Sequence, residues 1–321
     1  MIIRANYFFK EIIMSRILIS LGGNALGTLY NDLKHSVEII AGPICDLVKN
    51  GHEVVICHGN GPQVGYIKSN IDRGAKEDKT ENLPLFSCVS MSQSFIGAEL
   101  QNAIDNKLKE MGLEKEVATV VTRVIVDKDD PHFKNPTKPI GAFYTKEEYE
   151  QLEKAGKTMI EDSGRGYREV VASPIPIEIV EKDICKTLSN AGTILIAGGG
   201  GGIPTIRTEE GLKSIDAVID KDRTSVLLAS DTDCDSLVIL TGVEKVSINF
   251  NKPNQQDLSQ MTLAECEKYI AEGQFPEGSM LPKIEAAMDF VKSGKGRKTL
   301  ITSLDKLVEG MNGKTGTFIV E

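Results

Sequence analysis

Apolar and polar residues fall along this chain in blocks that switch between short unbroken runs and three-to-four periodicity. Arg16–Leu21 (RILISL) is such a run, the mark of a strand buried on both faces. Beyond a glycine-containing loop, Leu33, Val37, Ile40, Ile44, Leu47 and Val48 keep the spacing of one helix face. Asn31 or Asp32 is its cap and Gly51 its stop. Glu53–Cys57 (EVVIC) is the next strand, so the pattern predicts a strand–helix–strand unit with parallel strands. A helix opening at Pro62, a polar stretch over 67–83, a helix over Ser87–Met111 and a strand over Glu116–Val126 follow. After an interruption come a helix over Glu178–Ala191 and a short buried strand, Ile194–Ala197. The remainder reads as a helix over Arg223–Thr232, strands at Ser236–Leu240 and Lys245–Phe250, helices at Leu263–Glu272 and up to Lys292, and strands at Thr299–Thr302 and Gly316–Val320. This alternation is that of an α/β protein built on a parallel sheet.

The interruption carries its own signal. From Asp127 the composition turns to Pro, Lys and Gly, and only one short helix, Lys146–Ala155, is legible before residue 172. Residues 127–172 are therefore expected to form a small lid-like subdomain, since long structured insertions at a ligand edge are usually functional. Composition otherwise narrows little. The chain has 321 residues and a net charge of −9, which gives no overall attraction to nucleic acid or anionic membrane. No apolar run approaches the ~18 residues needed to span a bilayer. The six cysteines are scattered without a CxxC pair, which predicts buried free thiols in a reducing compartment and hence a cytoplasmic protein. Residues 1–14 read as a non-essential extension, with Met14 as an alternative start.

Chemistry is concentrated in glycines. Gly22-Gly23-Asn24 follows the first strand, Gly59-Asn60-Gly61 lies between the second strand and Pro62, and Gly198–Gly202 follows Ile194–Ala197. Pro62 fits a first helical turn, so the second loop sits at a helix N-terminus, where free amides and the helix dipole favour an anion. All three loops are expected at one edge of the sheet, the edge where open α/β sheets bind ligands. Other motifs fail on inspection. Gly313-Lys314-Thr315 lacks the upstream glycine of a P-loop, and Asp231, Asp233 and Asp235 lack the glycine and acid of a calcium loop. The histidines have no metal-ligand spacing.

Taken together the motifs resemble carbamate kinase, within the amino-acid kinase superfamily. They are LGGNAL at 21–26, GNGPQVG at 59–65, MSQ and IG within 91–97, NPTKPIG at 135–141, DSGRGYR at 162–168, GGGGIP at 199–204, DAVIDKD at 216–222 and GSMLPK at 278–283. The chain departs from the usual pattern at Ala98, Ala172 and Gly242. The resemblance implies a three-layer αβα sandwich with a mainly parallel, eight-stranded sheet, a protruding subdomain and a homodimer. It implies phosphoryl transfer between ATP and carbamate, in either direction, with Mg²⁺ bridging the nucleotide phosphates and no dedicated protein metal site. Residues 15–215 would then hold carbamate and phosphoryl, and 216–321 the nucleotide. Gly22, Gly23, Asn24, Gly59, Asn60 and Gly61 would contact the substrate and the transferring group, with Gly199 and Gly200 beneath. Lys128, Lys221 and Lys283 match the family's cations, and Asp222 the aspartate that orients lysines. Thr241, Gly242, Val243 and Met280 fall at the nucleotide. Many superfamily members carry a lysine directly before LGG. Here that position is Ser20, and Lys128 would replace the charge. Another acid or phosphate kinase of the superfamily and a non-catalytic nucleotide binder are the alternatives, with neither nucleic acid nor membrane as a partner.

Overall fold

The chain folds around a sheet whose strands leave at one edge into glycine loops. The coordinates are a computed structural model that describes residues 15–27, 29–154, 156–161 and 166–321. The N-terminal extension, the DSGR part of DSGRGYR and the side chain of Asn24 lie outside the described residues.

In chain order the first half contains β1 (Arg16–Leu21), α1 (Tyr30–Lys49), β2 (Glu53–His58), α2 (Gly61–Glu77), α3 (Leu85–Glu110), β3 (Val117–Thr119) and β4 (Arg123–Val126). The insertion supplies β5 (Lys138–Tyr144), α4 (Lys146–Lys154), β6 (Met159–Glu161) and β7 (Tyr167–Val171). Then follow β8 (Pro176–Ile179), α5 (Lys182–Asn190), β9 (Ile194–Ile196), β10 (Ile203–Thr208), β11 (Gly211–Ser214), α6 (Lys221–Asp231) and β12 (Ser236–Leu240). The chain ends with β13 (Val246–Ile248), β14 (Gln256–Leu258), β15 (Gln260–Thr262), α7 (Leu263–Ala271), α8 (Leu281–Lys292), β16 (Lys298–Thr302), α9 (Leu307–Met311) and β17 (Thr317–Val320).

The main sheet has eight strands in the order β15-β17-β16-β12-β1-β2-β9-β3. Only the β16–β17 pairing is antiparallel. Strand period decides which core each residue enters. Ile17, Ile19 and Leu21 pack with α1 and α3, whereas Leu18 joins Leu228 and Ala229 of α6 on the opposite face. That is the expected three-layer arrangement.

Four expectations fail in detail. The run Glu116–Val126 is two strands rather than one: β3 belongs to the main sheet and β4 to a second, four-stranded sheet in the order β11-β10-β4-β8. The break falls at Thr122, whose amide donates to Gln93 Oε1 at 2.8 Å and whose hydroxyl accepts from Gly198 N at 3.0 Å. The expected helix from Glu178 begins only at Lys182, because Pro176–Ile179 pairs with β4. Lys245–Phe250 contributes only a small hairpin with β14. The polar stretch over 67–83 is largely the continuation of α2.

The insertion forms its own three-stranded antiparallel sheet, β5-β7-β6, with α4 against it. It rests on α2 through backbone. A Cβ at Gly65 would come within 2.0 Å of Gly141 Cα, so only glycine lets β5 lie flush on this helix. Val64, Val89, Ile140, Ile203 and Val218 form a separate small core at this junction.

Candidate active site

Four loops meet at the carboxyl edge of the central strands, where β12, β1, β2 and β9 lie side by side. Gly59 N donates to Leu21 O at 2.9 Å, which places the second glycine loop beside the first. A Cβ at Gly22 would stand 3.2 Å from Leu240 O, so the loop beginning at Thr241 adjoins as well. Asn60 is buried, and its Nδ2 donates to Ser92 Oγ at 2.8 Å. Gly61 opens α2 with Pro62 in its first turn, as the dipole argument requires.

The third loop, Gly198–Gly202, is walled in on every side. Added Cβ atoms would reach His58 Nε2 at 2.5 Å from Gly199, Asn60 Nδ2 at 2.1 Å from Gly200, Ile219 O at 2.2 Å from Gly201 and Val124 Cγ2 at 2.3 Å from Gly202. Gly198, Gly200, Gly201 and Gly202 also have positive φ. The amides of Gly198, Gly201 and Gly202 are engaged inside the protein. Gly199 and Gly200 are the two whose amides those bonds leave over. The glycines are thus required by close approach of neighbouring chain, and the loop forms the buried floor beneath the other two.

The charged groups stand at the start of α6 and α8. Lys221 and Asp222 are both buried, with Lys221 in the first turn of α6. Lys221 Nζ bonds Asp222 Oδ1 and reaches Ser20 Oγ at 2.9 Å. Ser20 Oγ donates to Asp222 Oδ1 at 3.0 Å, and Lys283 Nζ reaches Asp222 Oδ2 at 3.0 Å. Burial opposes ionisation of Asp222, but the two ammonium groups overcome it and hold the carboxyl far below the usual carboxylate range. Lys283 is the mirror case: burial lowers its pKa, Asp222 raises it, and the net shift is upward. One carboxylate therefore bridges two lysines that would otherwise repel.

Lys128 does not reach this cluster. It lies in a turn after β4, its side chain is 70% exposed, and its ion-pair partner is Asp129 at 3.9 Å. The cation that the insertion does deliver is Lys138, the lysine of NPTKPIG, which pairs with Asp220. Asp220 caps α6 by accepting from Asp222 N at 2.8 Å. Burial raises its pKa, but the Lys138 charge prevails and the net shift is downward. Lys138 and Asp220 lay within motifs visible in the sequence. What singles them out is the contact across the insertion.

Among the residues expected at the nucleotide, Gly242 is exposed with open space where a Cβ would stand. Thr241 N donates to Thr302 O at 2.9 Å, Val243 is half-buried, and Met280 caps the first turn of α8 beside Lys283. Periodicity did not single out Asn249 and Asn251, both left-handed at φ 52° and 59°, which hold up the 48%-exposed ring of Phe250 between them.

His58 gives a stability prediction. Burial pushes its pKa down to about 4 from an ordinary 6.5, while Nδ1 bonds Gly59 O at 3.0 Å and Lys221 disfavours a second cation. The unfolded chain binds this proton between those values and the folded chain does not, so the His58 contribution is complete above pH 6.5 and declines as pH falls toward 4. The expected loss is about 3 kcal/mol. Urea midpoints across that range test it. A His58→Gln variant with an unchanged slope would show that other groups carry the effect.

The amino acid kinase family profile matches residues 15–303. A carbamate kinase-like protein of Escherichia coli K12, YqeA, is 52% identical over 95% of this chain and 99% of that protein. The carbamate kinase of Staphylococcus haemolyticus is 49% identical over the same shares. Among solved structures, carbamate kinase of Giardia lamblia bound to AMP-PNP superposes with a TM-score of 0.86 at 40% identity, over 96% of this chain and 99% of that one. The same enzyme bound to citric acid gives a TM-score of 0.90. Matching those proteins over nearly its whole length in both sequence and structure, this chain belongs to the amino acid kinase family, on its carbamate kinase branch.

Proposed function

We propose that the protein catalyses reversible phosphoryl transfer between ATP and carbamate, working toward ATP from carbamoyl phosphate and ADP. The observation that carries this reading is the Lys221–Asp222–Lys283 cluster at the edge where the glycine loops meet. Phosphoryl transfer asks little covalent chemistry of a protein. It asks for positive charge and donors fixed where negative charge moves between oxygens. An ammonium has three N–H bonds. Lys283 gives one to Asp222, which leaves two for the phosphoryl oxygens. Gly22, Gly23 and Gly59–Gly61 offer amides to carbamate, with the α2 N-terminus behind them.

Nucleotide binding at Thr241–Val243, Met280 and Phe250 fits the AMP-PNP held by the Giardia relative. Mg²⁺ supplies charge to the phosphates when it arrives with the nucleotide. Asp220 and Asp222 are each engaged by lysines, so the nucleotide's own phosphates and water would hold the ion. No cluster of three or more metal-ligating side chains occurs among the described residues. No helix among the described residues is long and apolar enough to cross a membrane, and a cytoplasmic setting belongs to the same reading. So does a homodimer, for which the apolar surface of Leu29, Tyr30, Tyr66 and Phe95 offers area.

Coupled ATP formation from ADP and carbamoyl phosphate tests the activity. A pure protein that forms no ATP at millimolar substrate, yet binds ADP, would leave the non-catalytic alternative. The insertion's part is tested by a pair of variants. Lys138→Ala is expected to lower kcat by about a hundredfold, the scale of one lost charged donor. Lys128→Ala, in an exposed turn, is expected to stay within about twofold of wild type. The reverse order would return the role to Lys128.

A further inference from the structure

Lys221 and Asp222 are neighbours in sequence on a helix, and such neighbours do not face each other. Their side chains nevertheless meet, and the third member of the contact comes from the other end of the chain. Ser20 is fully buried near the end of β1. It follows Leu18 on the strand face that packs against α6, in a row where an apolar side chain would satisfy the core. Instead its hydroxyl closes a ring: it accepts from Lys221 Nζ at 2.9 Å and donates to Asp222 Oδ1 at 3.0 Å, while Lys221 also bonds Asp222.

We propose that Ser20 is a positioning residue for phosphoryl transfer, fixing the direction in which the Lys221 ammonium presents its remaining N–H to the substrate. A hydroxyl has one proton. With that proton given to Asp222, only a lone pair faces Lys221. The ammonium is therefore held at two points, Ser20 and Asp222, and rotation about its last bond is locked. One N–H is left, and it points where the other two do not. Remove the hydroxyl and Lys221 keeps a single anchor, free to rotate and to collapse onto Asp222. The same hydroxyl sits at the position directly before Leu21-Gly22-Gly23, so β1 contributes an aiming group there while the charge itself arrives from α6.

This inference rests on the carbamate kinase reading, and the experiment separates the two. ATP formation by wild type is measured first. Its absence would defeat that reading alone, and the phosphate-binding measurement below would then decide the role of Ser20. With wild type active, Ser20→Ala is expected to lower kcat by about tenfold or more, the scale of one hydrogen bond to a charged group. The KM for ADP and the thermal midpoint should stay near wild type. Because Ser20 acts through Lys221, adding Ser20→Ala to Lys221→Ala is expected to cost no further kcat. Isothermal calorimetry with inorganic phosphate, without nucleotide, is expected to show weaker binding to Ser20→Ala than to wild type by about the same factor. Four results would overturn the proposal: wild-type kcat in Ser20→Ala, a loss that only tracks a lowered folded fraction, an additive double variant, or unchanged phosphate affinity.

Discussion

Lys221→Ala is expected to lower kcat for ATP formation by about a thousandfold, the upper range for losing one preorganised donor in a water-poor site. The size follows from burial. Lys221 is 9% exposed and is tied to Asp222 and Ser20. In bulk water the same charge would be screened, whereas in the proposed site its field would act on the moving phosphoryl with little competition. ADP affinity should change much less, within about fivefold, because the proposed nucleotide site at Thr241–Val243 and Met280 would supply the adenine and ribose contacts without Lys221. Single-turnover ATP formation together with equilibrium ADP binding measures both quantities. A variant that loses ADP binding and keeps its single-turnover rate would place Lys221 on the nucleotide rather than on the transferring group.

The second large effect falls on folding. Asp222→Ala leaves Lys221 and Lys283 buried beside each other with no carboxylate between them. Removing one partner of a buried ion pair usually costs about 3–5 kcal/mol, because the charge left behind is neither solvated nor compensated. Urea unfolding at neutral pH should show a loss of that order, and activity should vanish with it. The pH dependence has a definite sign. The Asp222 carboxyl is held below its ordinary range, so its contribution is complete above about pH 4 and is lost only as pH falls toward its folded value. A wild-type protein whose stability is already falling between pH 8 and 7 would need another group to explain it. Asp222→Asn is the companion variant. It keeps the shape and one acceptor, so it should recover part of the stability and little of the activity.

Much of this was open to reading in the residues themselves. The runs at Arg16–Leu21, Glu53–His58 and Ser236–Leu240 are continuous because those strands are buried on both faces, and period alone located them. The glycine loops were legible because three of them follow such runs directly. The failures share a cause, which is that a one-dimensional pattern does not say which sheet a strand joins. Val120–Thr122 looks like the middle of a strand, yet there the chain crosses from one sheet to another, pinned by Gln93 and Gly198. Glu178 and Ile179 were absorbed into a helix because the pairing partner of Pro176–Ile179, β4, lies far upstream. The same limit governed the lysines. Lys128 and Lys138 belong to one charged segment, and nothing local ranks them. The ion pair with Asp220, which spans 82 positions, is the observation that favours Lys138 in the proposal above. Ser20 was visible only as a missing lysine, since its hydroxyl acquires meaning from Asp222, 202 residues away.

The floor of the cleft has a consequence for how this protein's sequence can change. In a saturation library scored by growth or turnover, Gly199–Gly202 will be as intolerant as the reactive lysines. Almost any side chain there collides with His58, Asn60, Ile219 or Val124. Tolerance maps will therefore outline a catalytic patch larger than the set of groups that touch the substrate. The two kinds of intolerance separate by turnover per folded molecule: substitutions at the glycines act by depleting folded protein, whereas Lys221→Ala is expected to lower the turnover of the molecules that do fold.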